Sequence, residues 1–189
     1  MSAMPQPSLI SVETYLRGEL ASDVKHEYRG GYVYAMAGAK TQHNRVAGNF
    51  FGSMHRHLGD RPCEPFNPDM KVRVLMPRET RFYYPDGMMV CEPGGPDTSF
   101  QERPVVVTQV LSESTRRTDE GEKMEAYLLI PTLRIYLLVE TGRPRVTAHR
   151  RGDQGFAAEL YEGLDAVIGL PEIGTELALS ELYARVDFD

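Results

Sequence analysis

Cysteine is scarce in this chain: only Cys63 and Cys91 occur, without CxxC spacing. Neither a disulfide framework nor a zinc site is expected, and a reduced, cytoplasmic setting is the default. Long apolar runs are also missing. None approaches the ~20 residues that a membrane-spanning helix needs, so no membrane partner is expected. The opening MSAMPQPSLI has no positive region and no apolar run, which gives no sign of a secretory signal. Internal repeats, low-complexity segments and dividing linkers are absent too. That leaves one domain over 1–189, with 1–8 as a flexible N-terminus. Basic charge is in deficit: 27 acids against 21 bases give a net charge of −6. Nucleic-acid binding by the whole surface is therefore disfavoured.

What is present begins with enough apolar residues, 41% of 189, to fill a real core. The charge is uneven. Residues 153–189 carry nine acids and one base, Arg185, which leaves a near-neutral body. Within that body lie two basic clusters, Lys71, Arg73, Arg78 and Arg81, and Arg143, Arg145, Arg150 and Arg151. Runs of this kind are usually solvated strand faces.

Periodicity sets the elements. Ser11 suits the N-cap of a short helix in SVETYL. KHEYRGGYVYAM reads as a hairpin around Gly30-Gly31. Val46, Phe50, Met54 and Leu58 recur every four residues in a helix over about 41–58, which Gly59 ends. MKVRVL and RFYY flank the turn MPRET, and GMMVC and PVVVTQVL follow as further strands. TDEGEKMEAYLL, 118–129, reads as a helix. LRIYLLVE, PRVTAHR and FAAELYE are three more strands, and a helix over 180–186 closes the chain. PVVVTQVL and LRIYLLVE, joined by a helix, suggest a βαβ crossover. The class is α/β or α+β, with a mixed β-sheet flanked by helices.

Three polar residues contradict their surroundings. Asp86 follows Pro85 in FYYPDGMMV, where proline breaks the strand ladder; alone it reads as a turn aspartate. Gln109 interrupts PVVVTQVL on the face shared by Val105, Val107 and Leu111. A buried amide costs roughly 1–3 kcal/mol if it finds no partner. Lys123 lies in a helix with Tyr127 at i+4, and alone it reads as a snorkelling surface lysine. Together, the aspartate, the oxygen-bearing strand residue and the lysine suit a hard cation and a phosphodiester. Glu113 shares the strand parity of Gln109 but reaches such a site only if the chain turns back at Ser112. His55 and His57 diverge on a helix, and His43 near its start suits a capping or loop role. SEST has no recognisable histidine and acid to make it a hydrolase nucleophile.

The segments KHEYRGGYVYAMAGAKTQHNRVAGN, YYPDGMMVC, VVTQVLSEST and DEGEKMEAYLLIPTLRIYLLV closely resemble, in order over about 8–185, the Uma-two family of restriction-endonuclease-like proteins. The resemblance implies a PD-(D/E)xK nuclease fold and a DNA endonuclease that uses Mg2+ or Mn2+. It implies Asp86 as metal ligand and Lys123 as the lysine displaced onto the helix. Leu111 stands where other members of the superfamily keep that lysine. It also implies an acidic family position for Glu27. Glu27 is expected to reach the site as a catalytic residue, completing the metal shell or orienting water, and to compensate for Gln109 better than Glu113. At 109 the family pattern has glutamate, so Gln109 keeps an oxygen ligand but loses its charge, and metal binding is expected to weaken. The competing expectation is a nuclease-like fold that binds nucleic acid or protein without cutting. A homodimer would suit double-strand cleavage, though nothing in the sequence requires one.

Overall fold

The computed structural model describes residues 9–188. The expected flexible N-terminus, 1–8, lies outside them. Helix α1 (Val12–Leu20) starts at Ser11, whose side chain accepts the Thr14 N–H. Strands β1 (His26–Arg29) and β2 (Tyr32–Ala35) form the hairpin expected at Gly30-Gly31, and both glycines take positive φ. Helix α2 spans Thr41–Leu58 and ends at Gly59. Then come β3 (Glu64–Phe66), β4 (Lys71–Leu75), β5 (Thr80–Tyr83), β6 (Gly87–Val90), β7 (Phe100–Gln101) and β8 (Pro104–Val110).

The helix expected over 118–129 begins earlier and is not uniform. A turn, α3 (Arg116–Thr118), leads into a π-helical turn (Asp119–Lys123) and then α4 (Met124–Leu128). Beyond it lie β9 (Ile135–Val139), β10 (Arg145–Gly152), β11 (Gly155–Glu162), β12 (Val167–Leu170) and β13 (Thr175–Ala178). The last helix, α5 (Leu179–Leu182), is shorter than the expected 180–186. Strands β3, β7, β12 and β13 were not expected as separate elements. The β12–β13 ribbon lies in a segment whose polar residues hide its alternation.

The strands fall into two main sheets and this ribbon. One sheet has the order β2-β1-β5-β4-β7. The other has the order β11-β10-β9-β8-β6-β3 and is mixed. Its β8 and β9 are parallel, which is the expected crossover. Between β5 and β6 the chain leaves the first sheet and joins the second through Tyr84, Pro85 and Asp86. A proline suits that break, because neither ladder needs an N–H from it there.

Alternation along β8 divides the core. Val106 and Val110 pack with Val46, Phe50, Met54 and Leu58 of α2. Val107 and Leu111 pack with Tyr127 and Tyr136 on the other side. Full burial of each large apolar side chain contributes about 1.5–3 kcal/mol. Gly87 lets α2 come close, since a Cβ there would stand 2.5 Å from Phe50.

Two expectations need correction. Cys63 and Cys91 are joined in a disulfide, against the reading of a reduced pair. They flank β3 and β6, where Glu64 pairs with Val90, so the ladder puts the two thiols side by side despite their distance in sequence. The basic clusters are also largely not a free solvated face. Arg151 donates to the carbonyls of Leu128, Ile130 and Leu133 at the end of α4. Arg150 pairs with Glu159 and Glu172, and Arg81 with Glu79 and Glu122. No helix among the described residues is long and apolar enough to cross a membrane.

Candidate active site

The break between the sheets fixes the first site residue. Asp86 sits just before β6, beside the end of β8. Its Oδ2 accepts the Val110 N–H at 2.8 Å, so the carboxylate extends the ladder past the point where Pro85 and the chain crossing interrupt it. The His43 Nε2 lies 3.4 Å from the same oxygen. Burial opposes protonation of His43, but Asp86 outweighs it, and the imidazole pKa is raised. His43 therefore serves neither as cap nor as loop residue. It sits within the first turn of α2 and faces the aspartate.

Gln109 is buried next to Val110, and its amide Nε2 lies 3.3 Å from the Tyr127 hydroxyl, a long hydrogen bond. The amide is thus partnered, and the desolvation cost expected of an orphan is offset. Tyr127 is fully buried, and burial holds its hydroxyl far above the usual phenol range.

The π turn brings Lys123 and Asp119 inward together, both buried. An extra residue in a helical turn re-aims side chains, and such turns recur at functional sites. The Lys123 Nζ lies 2.7 Å from Glu27 Oε1 on β1 and 3.3 Å from Asp119 Oδ1. Burial works to lower the pKa of Lys123, but the two carboxylates outweigh it and the ammonium stays charged. Lys123 is not a snorkelling surface residue. Glu27 also pairs with Arg29 at 3.1 Å, and Arg29 reaches Glu122 at 3.0 Å. Burial pushes the Asp119 carboxyl up, against the pull of Lys123, and the nearby Asp86 charge adds to the rise.

All four residues singled out in the sequence, Asp86, Gln109, Lys123 and Glu27, line one open cavity of about 1160 Å³. Asp119 and His43 line it as well. Asp119 escaped notice because an acid at the start of a helix is ordinary. Its only signal was the i, i+4 spacing to Lys123. Glu113 is exposed at the rim, so the chain does turn after Ser112, but not inward to the core. His55 stacks on Phe51, and His57 lies against Glu181, outside the cavity lining.

Among the described residues, no three of His, Cys, Asp and Glu converge closely enough to hold an ion by themselves. Mg2+ seldom needs that, because one or two carboxylates, waters and substrate phosphate complete its shell. The donor set fits such a cation: Asp86, the amide oxygen of Gln109, and buried carboxylates whose Glu27 Oε1 and Asp119 Oδ1 make no aligned hydrogen bond.

The fold, a mixed sheet flanked by helices with Asp86 and the buried Lys123 lining one cavity, resembles a solved nuclease-like structure. A crystal structure from Anabaena variabilis, described as "a putative nuclease belonging to DUF820", is similar, with a TM-score of 0.73 over 93% of this chain and 98% of that one at 14% identity. The chain belongs to the Uma2 family, described as "Putative restriction endonuclease", which it matches over residues 12–180. It is 32% identical to "Uncharacterized protein slr1290" of Synechocystis, over 97% of this chain and 96% of that protein. It is 30% identical to "Uncharacterized protein sll1609" of the same organism, over 89% and 96% respectively.

Proposed function

We propose that the protein is a metal-dependent endonuclease that hydrolyses DNA phosphodiester bonds. The observation that carries the reading is the convergence of Asp86, Gln109 and Lys123 on one cavity, in a chain of this family. Asp86 and the Gln109 oxygen would hold Mg2+ or Mn2+. A bound cation of this kind supplies Lewis-acid polarisation of the phosphodiester and lowers the pKa of a water nucleophile.

The chain's own residues do the rest. Lys123 carries a fixed positive charge that can stabilise the charge developing on the scissile phosphate. Glu27, held by Arg29, keeps the lysine in place and protonated. The first turn of α2 holds no acid and opens onto the cavity through Lys40, Gln42 and His43. Its free N–H groups and the helix dipole favour a phosphate there. This helix start offers a local phosphate site in a chain whose net charge is −6.

A second reading is a nuclease-like fold that binds nucleic acid without cutting it. The neutral Gln109 amide, tied to the Tyr127 hydroxyl, favours it. Incubating supercoiled plasmid and single-stranded DNA with the protein and Mg2+ or Mn2+ separates the two. Cleavage by the wild type that vanishes in Asp86→Ala and Lys123→Ala supports the enzyme. An inert wild type whose Gln109→Glu variant cuts supports the binding module.

A further inference from the structure

We infer that Asp119 is the second carboxylate of the cation site and supplies the charge that Gln109 lacks. The inference rests on the metal-dependent reading above and deepens it. Cation affinity follows the charge count of the oxygen ligands. With an amide at 109, Asp86 alone leaves the site one charge short, and a second carboxylate in the same cavity would restore it.

Besides Asp86, four acids line the cavity: Asp23, Glu27, Glu113 and Asp119. Asp23 and Glu113 are exposed. Glu27 is already neutralised twice, by Arg29 at 3.1 Å and Lys123 at 2.7 Å. Asp119 shares with Glu27 a buried oxygen that accepts no aligned hydrogen bond, but it has fewer cations beside it. Its side chain is 2% exposed, and its Oδ1 accepts no aligned hydrogen bond. Its one cationic neighbour, Lys123, stands farther off at 3.3 Å and is shared with Glu27. A carboxylate buried this deeply is normally paired or bound to a metal. Asp86, Asp119 and His43 all line the same cavity. The π turn explains the aim, because it turns Asp119 and Lys123 inward together.

Calorimetric titration of the full chain with Mn2+ tests this, with thermal unfolding as a check on folding. The variants are Asp86→Asn, Asp119→Asn, Gln109→Glu and the double variant Gln109→Glu/Asp119→Asn. Asp119→Asn should weaken Mn2+ by roughly 10–100-fold, at least what loss of a metal's outer partners costs. The double variant should return to wild-type affinity, since the charge is restored at 109. Asp119→Asn with unchanged affinity, while Asp86→Asn loses it, overturns the inference and leaves the metal site standing. A loss that Gln109→Glu does not repair assigns Asp119 a purely structural role and overturns it as well. A wild type that binds no Mn2+ removes the metal-dependent reading and this inference with it.

Discussion

The two faces of β8 carry different kinds of sequence. Val106 and Val110 face α2 in an apolar layer that includes Phe50 and Met54. The opposite face offers Val107 and Leu111 to α4, but sets Gln109 among them at the cavity wall. On the first face every choice favours packing. On the second, one residue is worse for packing than any aliphatic, and the polar groups near it are buried with incomplete partners. The contrast locates where stability yields to chemistry.

If the faces divide the labour, their variants should separate. Asp86→Ala should abolish Mn2+-dependent cleavage, and Lys123→Ala should slow it by about 10²–10³-fold, the scale for one lost electrostatic stabiliser. Plasmid nicking rates at equal folded concentration measure both. Phe50→Ala, on the α2 face, should destabilise by about 3–5 kcal/mol while leaving the rate per folded molecule unchanged. Urea denaturation paired with the nicking assay checks that separation. A Phe50→Ala enzyme that folds well but cuts poorly would break the comparison.

Smaller effects sharpen it. Cys63→Ser should cost about 2–4 kcal/mol by releasing the β3–β6 bridge, read as a lower melting temperature that reducing agent reproduces in the wild type. The clasp between Arg116 and Glu140 ties the start of the site helix to the end of β9. Arg116 holds the Glu140 carboxyl below its usual value of 4.5. A depressed carboxyl contributes stability that is present above the usual value and is lost as pH falls through the lower, folded one. Arg116 is partly exposed, so solvent screens the pair and the effect is small. Unfolding measured between pH 6 and 3 should show a slightly steeper acid loss in the wild type than in Arg116→Ala (about a few tenths of a kcal/mol).

Much of this is legible in the sequence. The four-residue repeat of Val46, Phe50, Met54 and Leu58 gave α2 its bounds, and Pro85 marked the strand break that turned out to join two sheets. Asp86, Gln109 and Lys123 stood out because each contradicted its local pattern, and they meet at one cavity. Strands β3 and β7 were hidden by their length, three and two residues, too short for any alternation. The disulfide was hidden because pairing across β3 and β6 is a tertiary fact that cysteine spacing does not encode. Asp119 and His43 were hidden for a related reason. Each is an ordinary residue for its helical position, and only the packing of α2 and the π turn against Asp86 gives it a place in the site.

The most direct test of the central claim is the rate of Mn2+-dependent nicking of supercoiled DNA by wild type and Asp86→Ala, purified side by side. The account predicts a measurable wild-type rate that needs the cation and falls to background in the variant. Cation-dependent cutting that survives in Asp86→Ala would contradict it.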